Sequence, residues 1–145
     1  MSWRERFGPL ARTIETVFPG DGDLDALFAL GRPLRVKFGI DITSTSVTIG
    51  NEIPLRILAR FQELGHVAVL ILGDFTTLVG DPSGRDKTRP VLTSEDVARN
   101  GEGWLRQISG VLDVDRAEVR RNSEWLATLS TDEILKLAGQ FTVAQ

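Results

Sequence analysis

Apolar residues along this chain switch their spacing between three-to-four and two, and the switches mark the elements. Phe7, Leu10, Ile14 and Phe18 recur at helical spacing, so the first 18 residues read as an amphipathic helix that Gly8-Pro9 interrupts early. Pro19-Gly20-Asp21-Gly22-Asp23 breaks the chain, and a short helix around Leu24 to Leu30 stops at Gly31. Leu34, Val36, Phe38 and Ile40 then alternate with Arg35, Lys37 and Gly39, the period of a strand. Ile42 to Val47, crowded with Ser and Thr, is loop chemistry. Asn51-Glu52-Ile53-Pro54 opens a helix, with Asn51 as its cap and the proline within the first turn. Ile57, Phe61 and Leu64 give that helix an apolar face, and Gly65 ends it.

Val67 to Leu72 is an unbroken apolar run of strand length, the pattern of a strand buried on both faces. Strand, helix and buried strand form a βαβ unit, expected to have parallel strands and a right-handed crossover. Thr93-Ser94-Glu95-Asp96 is a capping box opening a helix, along which Val97, Trp104, Ile108 and Val111 keep near-helical spacing. Ala117 to Val119 reads as a short third strand, and Ser130-Thr131-Asp132-Glu133 as a second capping box. Repeats and low-complexity segments are absent. The class is α/β, and 145 residues suit one domain.

Charge and composition narrow the chemistry. Lys and Arg number 17 against 20 Asp and Glu, a net charge of −3, so whole-chain attraction to nucleic-acid phosphates is not expected and only a local basic patch could supply it. The absence of cysteine excludes disulfides, zinc ribbons and thiol catalysis. His66 is the sole histidine, so histidine-rich metal sites and triads built on any other histidine are excluded as well. Just before a strand, at the edge opposite the ligand side, it reads as a surface or boundary residue. No apolar run approaches the 18 or more residues of a membrane span, and the N-terminus lacks a signal-peptide stretch, so the expectation is a cytoplasmic protein.

Binding sites of parallel sheets lie outside the carboxyl ends of the strands. Two loops qualify: Asp41 to Asn51, and Gly73 to Pro90. The first ends at a helix N-terminus, whose free N–H groups and positive dipole end suit a nucleotide or another anion. Gly80 to Thr88 is not a phosphate loop, because Arg85 and Asp86 stand where that motif needs glycine followed directly by Lys and Ser or Thr. Arg85, Lys87 and Arg89 crowd three positive charges around Asp86, which fits either a solvated charged loop or one that grips phosphate.

Leu34 to Thr43 (LRVKFGIDIT), Gly73 to Pro90 (GDFTTLVGDPSGRDKTRP) and Arg120 to Gln145 (RRNSEWLATLSTDEILKLAGQFTVAQ) together resemble the N-terminal third of bacterial tyrosyl-tRNA synthetases, class I aminoacyl-tRNA synthetases. The resemblance runs from about residue 33 to the last residue. It implies a helical segment over residues 1–33 and, over 34–145, the first half of a Rossmann-type catalytic domain that joins tyrosine to ATP, with Mg, and transfers it to tRNA. Gly39 and Asp41 match strand-end positions that lie against the bound adenylate. Asp81 matches a carboxylate that holds the tyrosine ammonium, and Arg85 and Arg89 match basic positions that neutralise the leaving pyrophosphate.

Two departures stand out. Thr48-Ile49-Gly50-Asn51 occupies the place of the family's His-Ile/Leu-Gly-His, whose imidazoles stabilise the ATP phosphates. Gly50 is retained and lets the adenine approach the backbone, Asn51 keeps a donor, and Thr48 is too short to reach the same oxygen. Losing one such donor costs about 2.7–4 kcal/mol of transition-state stabilisation, so two altered donors remove roughly two to five orders of magnitude. Ile42 replaces a usual proline, so the loop entering the motif is expected to be less constrained. The second departure is length: the rest of the tyrosine pocket, the second half of the sheet and the tRNA-binding domains lie outside this sequence. Half a doubly wound sheet is expected to leave an apolar strand edge unpaired, and aminoacylation by this chain alone is not expected. Three readings stay open: a truncated, divergent tyrosine–tRNA ligase copy, in family fashion a homodimer; a non-catalytic module that binds a partner synthetase chain; and a relic or a piece of a longer chain.

Overall fold

The computed structural model describes residues 1–79 and 92–140. Three parallel strands, β1 (Arg35–Ile40), β2 (Val67–Leu72) and β3 (Glu118–Arg121), form one sheet in the order β1-β2-β3. Helices α1 (Trp3–Phe7) and α2 (Asp21–Ala29) precede it, α3 (Ile49–Glu63) crosses from β1 to β2, and α4 (Asp74–Val79) and α5 (Ser94–Ile108) precede β3. Two short helices, α6 (Ser123–Leu126) and α7 (Thr131–Ala138), follow. The α/β class and the parallel βαβ unit read from the sequence are both present.

The register pairs Lys37 with Val69 and Glu118 on one face, and Phe38 with Leu70 and Val119 on the other. The second face carries the core: Ala68, Leu70 and Leu72 are fully buried and pack with Leu55 and Leu58 of α3 and Val97, Trp104 and Ile108 of α5. On the first face, Arg35, Lys37, Val69, Ile71 and Arg120, with Trp125 from α6, line an open concavity of about 310 Å³. β2 is therefore buried on one face and only partly covered on the other. β1 carries Arg35 and Lys37 between its apolar residues, and β3 is charged at Glu118, Arg120 and Arg121, so the outer strands are blunted by charge rather than apolar as expected.

The N-terminal reading needs correction. The first 18 residues do not make one helix: α1 ends at Phe7, Gly8–Thr13 is a 3-10 turn, and Phe18 is 87% exposed. Gly8 has φ +57°, a left-handed conformation, and Pro9 offers no N–H, so the α-helical ladder cannot pass this pair. Trp3, one helical turn before Phe7 but not named in that stripe, is 1% exposed and packs edge-on to Phe7. α2 begins at Asp21, inside the stretch read as a break.

α3 is apolar on two sides. Leu55 and Leu58 face the sheet, whereas the stripe read from the sequence, Ile57, Phe61 and Leu64, faces the N-terminal helices. Phe61 meets Phe7 edge-on and stacks on Phe28 with centroids 5.8 Å apart. Gly65, at φ +87°, ends α3 as expected: its N–H donates to Gln62 O and that of His66 to Phe61 O, the paired bonds of a Schellman turn. Both capping boxes are formed, Thr93 with Asp96 and Ser130 with Glu133.

His66 packs against both Phe28 and Phe61, and its Nδ1 accepts the Leu34 N–H at 3.2 Å. Burial and the neighbouring Arg6 cation push its pKa below the ordinary value. A lowered folded-state pKa means that the unfolded chain takes up the proton first as pH falls. Stability is therefore expected to be full above about pH 6.5 and to decline below it until the folded state also protonates. Melting temperatures between pH 7.5 and 5 check this: the parent chain should lose stability on acidification, and His66→Leu should be less stable but flat across that range.

Candidate functional site

The carboxyl ends of all three strands converge on one polar cluster. Asp41 follows β1, Asp74, Phe75 and Thr76 follow β2, and Asn122 and Ser123 follow β3. The Thr76 hydroxyl donates to Asp41 Oδ1 at 2.5 Å and accepts from Asn122 Nδ2 at 2.9 Å. Asn122 is buried, and its Oδ1 accepts the Phe75 N–H at 2.9 Å. Asp74 accepts from the Phe75 N–H and from both the N–H and the hydroxyl of Ser123. Burial works to raise the Asp74 pKa, but the Ser123 bonds and the Phe75 N–H outweigh it and hold the carboxyl below its usual range.

Asp41 sits where it does because residue 73 has no side chain. A Cβ on Gly73 would stand 2.0 Å from Asp41 Oδ1 and 2.6 Å from Thr76 Oγ1. The Gly73 N–H continues the ladder by donating to Ile40 O at 2.8 Å. Gly39, exposed on the side of the concavity, leaves the surface next to the carboxylate bare.

The loop after Asp41 leads to the N-terminus of α3, where the structure corrects the cap. Thr48, not Asn51, is the N-cap, with extended backbone at φ −88° and ψ 159°. Asn51 is already in the first turn, its N–H donating to Thr48 O at 2.9 Å. Its Oδ1 reaches back to the Thr48 N–H at 3.0 Å and Oγ1 at 2.8 Å. Thr48 and Asn51 are thus bonded to each other, and Asn51 offers only its Nδ2 outward. The N–H groups of Ile49 and Gly50 have no partner within the helix, and both residues are exposed. Pro54 lies beyond the first turn, contrary to expectation, and has no N–H to give to the Gly50 carbonyl.

Ile42 is not the loosened position expected. Its side chain is 1% exposed in the core, its N–H donates to Thr77 Oγ1 at 3.1 Å, and its carbonyl accepts from Asn100 Nδ2 at 3.2 Å. Burial of the isoleucine side chain supplies the fixity that a proline ring would give. Gly39, Asp41, Thr48, Gly50 and Asn51 accordingly share one end of the βαβ unit. Asp81, Arg85 and Arg89 lie outside the described residues. Sequence reasoning placed Gly73, Asp74 and Thr76 within a candidate loop without singling them out, and it missed Asn122, which lies three residues past the predicted third strand.

Residues 29–145 match the profile of the family described as tRNA synthetases class I (W and Y). The chain is 51% identical over 115 residues to a tyrosine–tRNA ligase of Symbiobacterium thermophilum, covering 79% of this chain and 28% of that protein. It is 45% identical over 152 residues to one of Trichormus variabilis, covering 97% of this chain and 38% of that one. The chain thus spans well under half the length of these relatives. A C-terminally truncated mitochondrial tyrosyl-tRNA synthetase of Aspergillus nidulans shares the fold, with a TM-score of 0.72 at 24% identity over 97% of this chain and 43% of that one. The tyrosyl-tRNA synthetase of Archaeoglobus fulgidus, solved with L-tyrosine, does so with a TM-score of 0.71 at 23% identity over 98% and 42%. With a profile match across most of its length and a shared fold, the chain belongs to the class I (W and Y) tRNA synthetases.

Proposed function

We propose that this chain supplies the first half of a tyrosine–tRNA ligase catalytic domain, and that the strand-end corner takes ATP and tyrosine. One observation carries the reading: the Asp41 carboxylate, fixed by Thr76 over the bare Gly73, at the same end of the βαβ unit as Gly39 and the α3 N-terminus. With one oxygen bonded to Thr76, Asp41 presents the other to a hydroxyl or amine of an adenylate. The unpartnered N–H groups of Ile49 and Gly50, with Asn51 Nδ2, suit phosphate oxygens. These donors stand in for the family's two imidazoles without carrying a full charge. By the resemblance, Asp81 holds the tyrosine ammonium and Arg85 and Arg89 the pyrophosphate.

Among the described residues there is no cluster of three or more His, Asp or Glu able to hold a metal ion. Mg is proposed to arrive bound to the ATP phosphates rather than in a protein cage. Transfer to tRNA and dimer formation are proposed only where the segments of the relatives that this chain does not span are supplied. No helix among the described residues is long and apolar enough to cross a membrane, and the cytoplasm is proposed on the family's account. A second reading, docking of a partner chain, is favoured by the open concavity around Val69, Ile71 and Trp125. A strictly monomeric mass by light scattering, with no exposed apolar surface, would remove it.

Calorimetric titration with a non-hydrolysable tyrosyl-adenylate analogue, beside the phenylalanyl analogue, is the direct test. Preference for the tyrosyl form supports the reading, and no binding by folded chain overturns it. Gly73→Ala is expected to displace the Asp41 carboxylate, weaken analogue binding by about tenfold or more, and cost about 1–3 kcal/mol of stability. Affinity equal to that of the parent chain would remove Asp41 from the site.

A further inference from the structure

Helix α5 lies against the loop that joins Asp41 to the Thr48 cap, and it grips that loop at both ends. At the near end, Asn100 Nδ2 donates to Ile42 O at 3.2 Å. At the far end, the Gln107 amide bonds twice: its Nε2 donates to Thr45 O, and its Oε1 accepts the Val47 N–H at 3.2 Å. A second donation from Nε2, to Gly103 O at 3.2 Å, anchors the amide to its own helix. Between the two grips α5 carries Gly101 and Gly103, both buried. A Cβ on Gly101 would approach Ile42 Cδ1 to 3.2 Å, and one on Gly103 would approach Thr45 Cβ and Cγ2 to 3.3 Å. A side chain at either place would press directly on the side chains of the loop.

We propose that Asn100 and Gln107 are positioning residues of the strand-end corner, holding Ile42 to Val47 so that Thr48 caps α3 with its first N–H groups turned outward. Gln107 acts as a substitute backbone: its amide gives Thr45 and Val47 the donor and acceptor that a neighbouring strand would give. Among the described residues no strand lies beside the loop, and its two ends are instead set by a 15-residue helix packed into the core through Val97, Trp104 and Ile108. The assignment of ATP to this corner rests on the reading above; the mechanical role of α5 does not.

Gln107 is exposed, so its substitution leaves the core intact. The test follows the Val47 amide by hydrogen exchange in the parent chain, in Gln107→Ala and in Gln107→Glu, together with the melting temperature and the affinity for Mg-ATP. In Gln107→Ala, Val47 exchange is expected to accelerate about tenfold or more at nearly unchanged melting temperature, and Mg-ATP binding to weaken about tenfold. Gln107→Glu keeps the acceptor for the Val47 N–H and should retain its protection while losing the donor to Thr45. Unchanged Val47 exchange in Gln107→Ala overturns the proposal, as does faster exchange with unaltered Mg-ATP affinity. A parent chain that does not bind Mg-ATP while Val47 responds as stated overturns the ATP assignment and the claim that the grip serves it, leaving only the loop contact.

Discussion

Two atoms cannot share the space beside the end of β1: the Asp41 carboxylate occupies it, so residue 73 must do without a side chain. The arrangement of the ligand edge follows from that exclusion. Gly73 remains flush enough to keep its ladder bond to Ile40, which fixes where β2 stops relative to β1. The Thr76 hydroxyl is then the group that meets Asp41, and Asn122 meets Thr76, so the end of β3 is tied to the same point. Asp74 and Ser123 fasten the neighbouring turn. One steric requirement thus orders side chains from three strands, with only one of them, Asn122, well buried. The network is polar at a solvent-facing edge, where geometry rather than net hydrogen-bond energy is the gain.

The elements that were legible in the sequence are those whose signal is local. β2 announces itself as an apolar run, the Thr93 and Ser130 boxes close within three residues, and Gly65 ends α3 by its own backbone freedom. β3 was displaced by a residue or two because its four residues carry little periodicity. The N-terminal helix failed because spacing ignores the backbone: Gly8 and Pro9 dictate a 3-10 turn even though Phe7, Leu10 and Ile14 still reach one apolar cluster. The apolar residues of α3 fell into two sets because the helix is sandwiched, and a single stripe cannot describe that.

At the site, the residues carried by resemblance and described here, Gly39, Asp41, Thr48, Gly50 and Asn51, share one end of the βαβ unit. What holds them was illegible, because Thr76, Asn100, Gln107 and Asn122 act from 35 or more positions away in the chain, and polar residues at such distances carry no pattern until the fold pairs them. The choice of cap was a nearer miss. Thr48 and Asn51 both suit a cap by type, and only the extended backbone of Thr48 decides between them.

The mutual bonding of Thr48 and Asn51 has an effect beyond shape. An imidazole changes charge close to neutrality, whereas a hydroxyl, a carboxamide and backbone N–H groups do not. The chain's sole histidine stands at the opposite end of β2, bonded to Leu34. The donors that Thr48, Asn51 and the first N–H groups of α3 supply are therefore fixed dipoles, the same in mildly acidic and mildly alkaline water. Where a pair of histidines would couple this corner to proton concentration, Thr48 and Asn51 disconnect it.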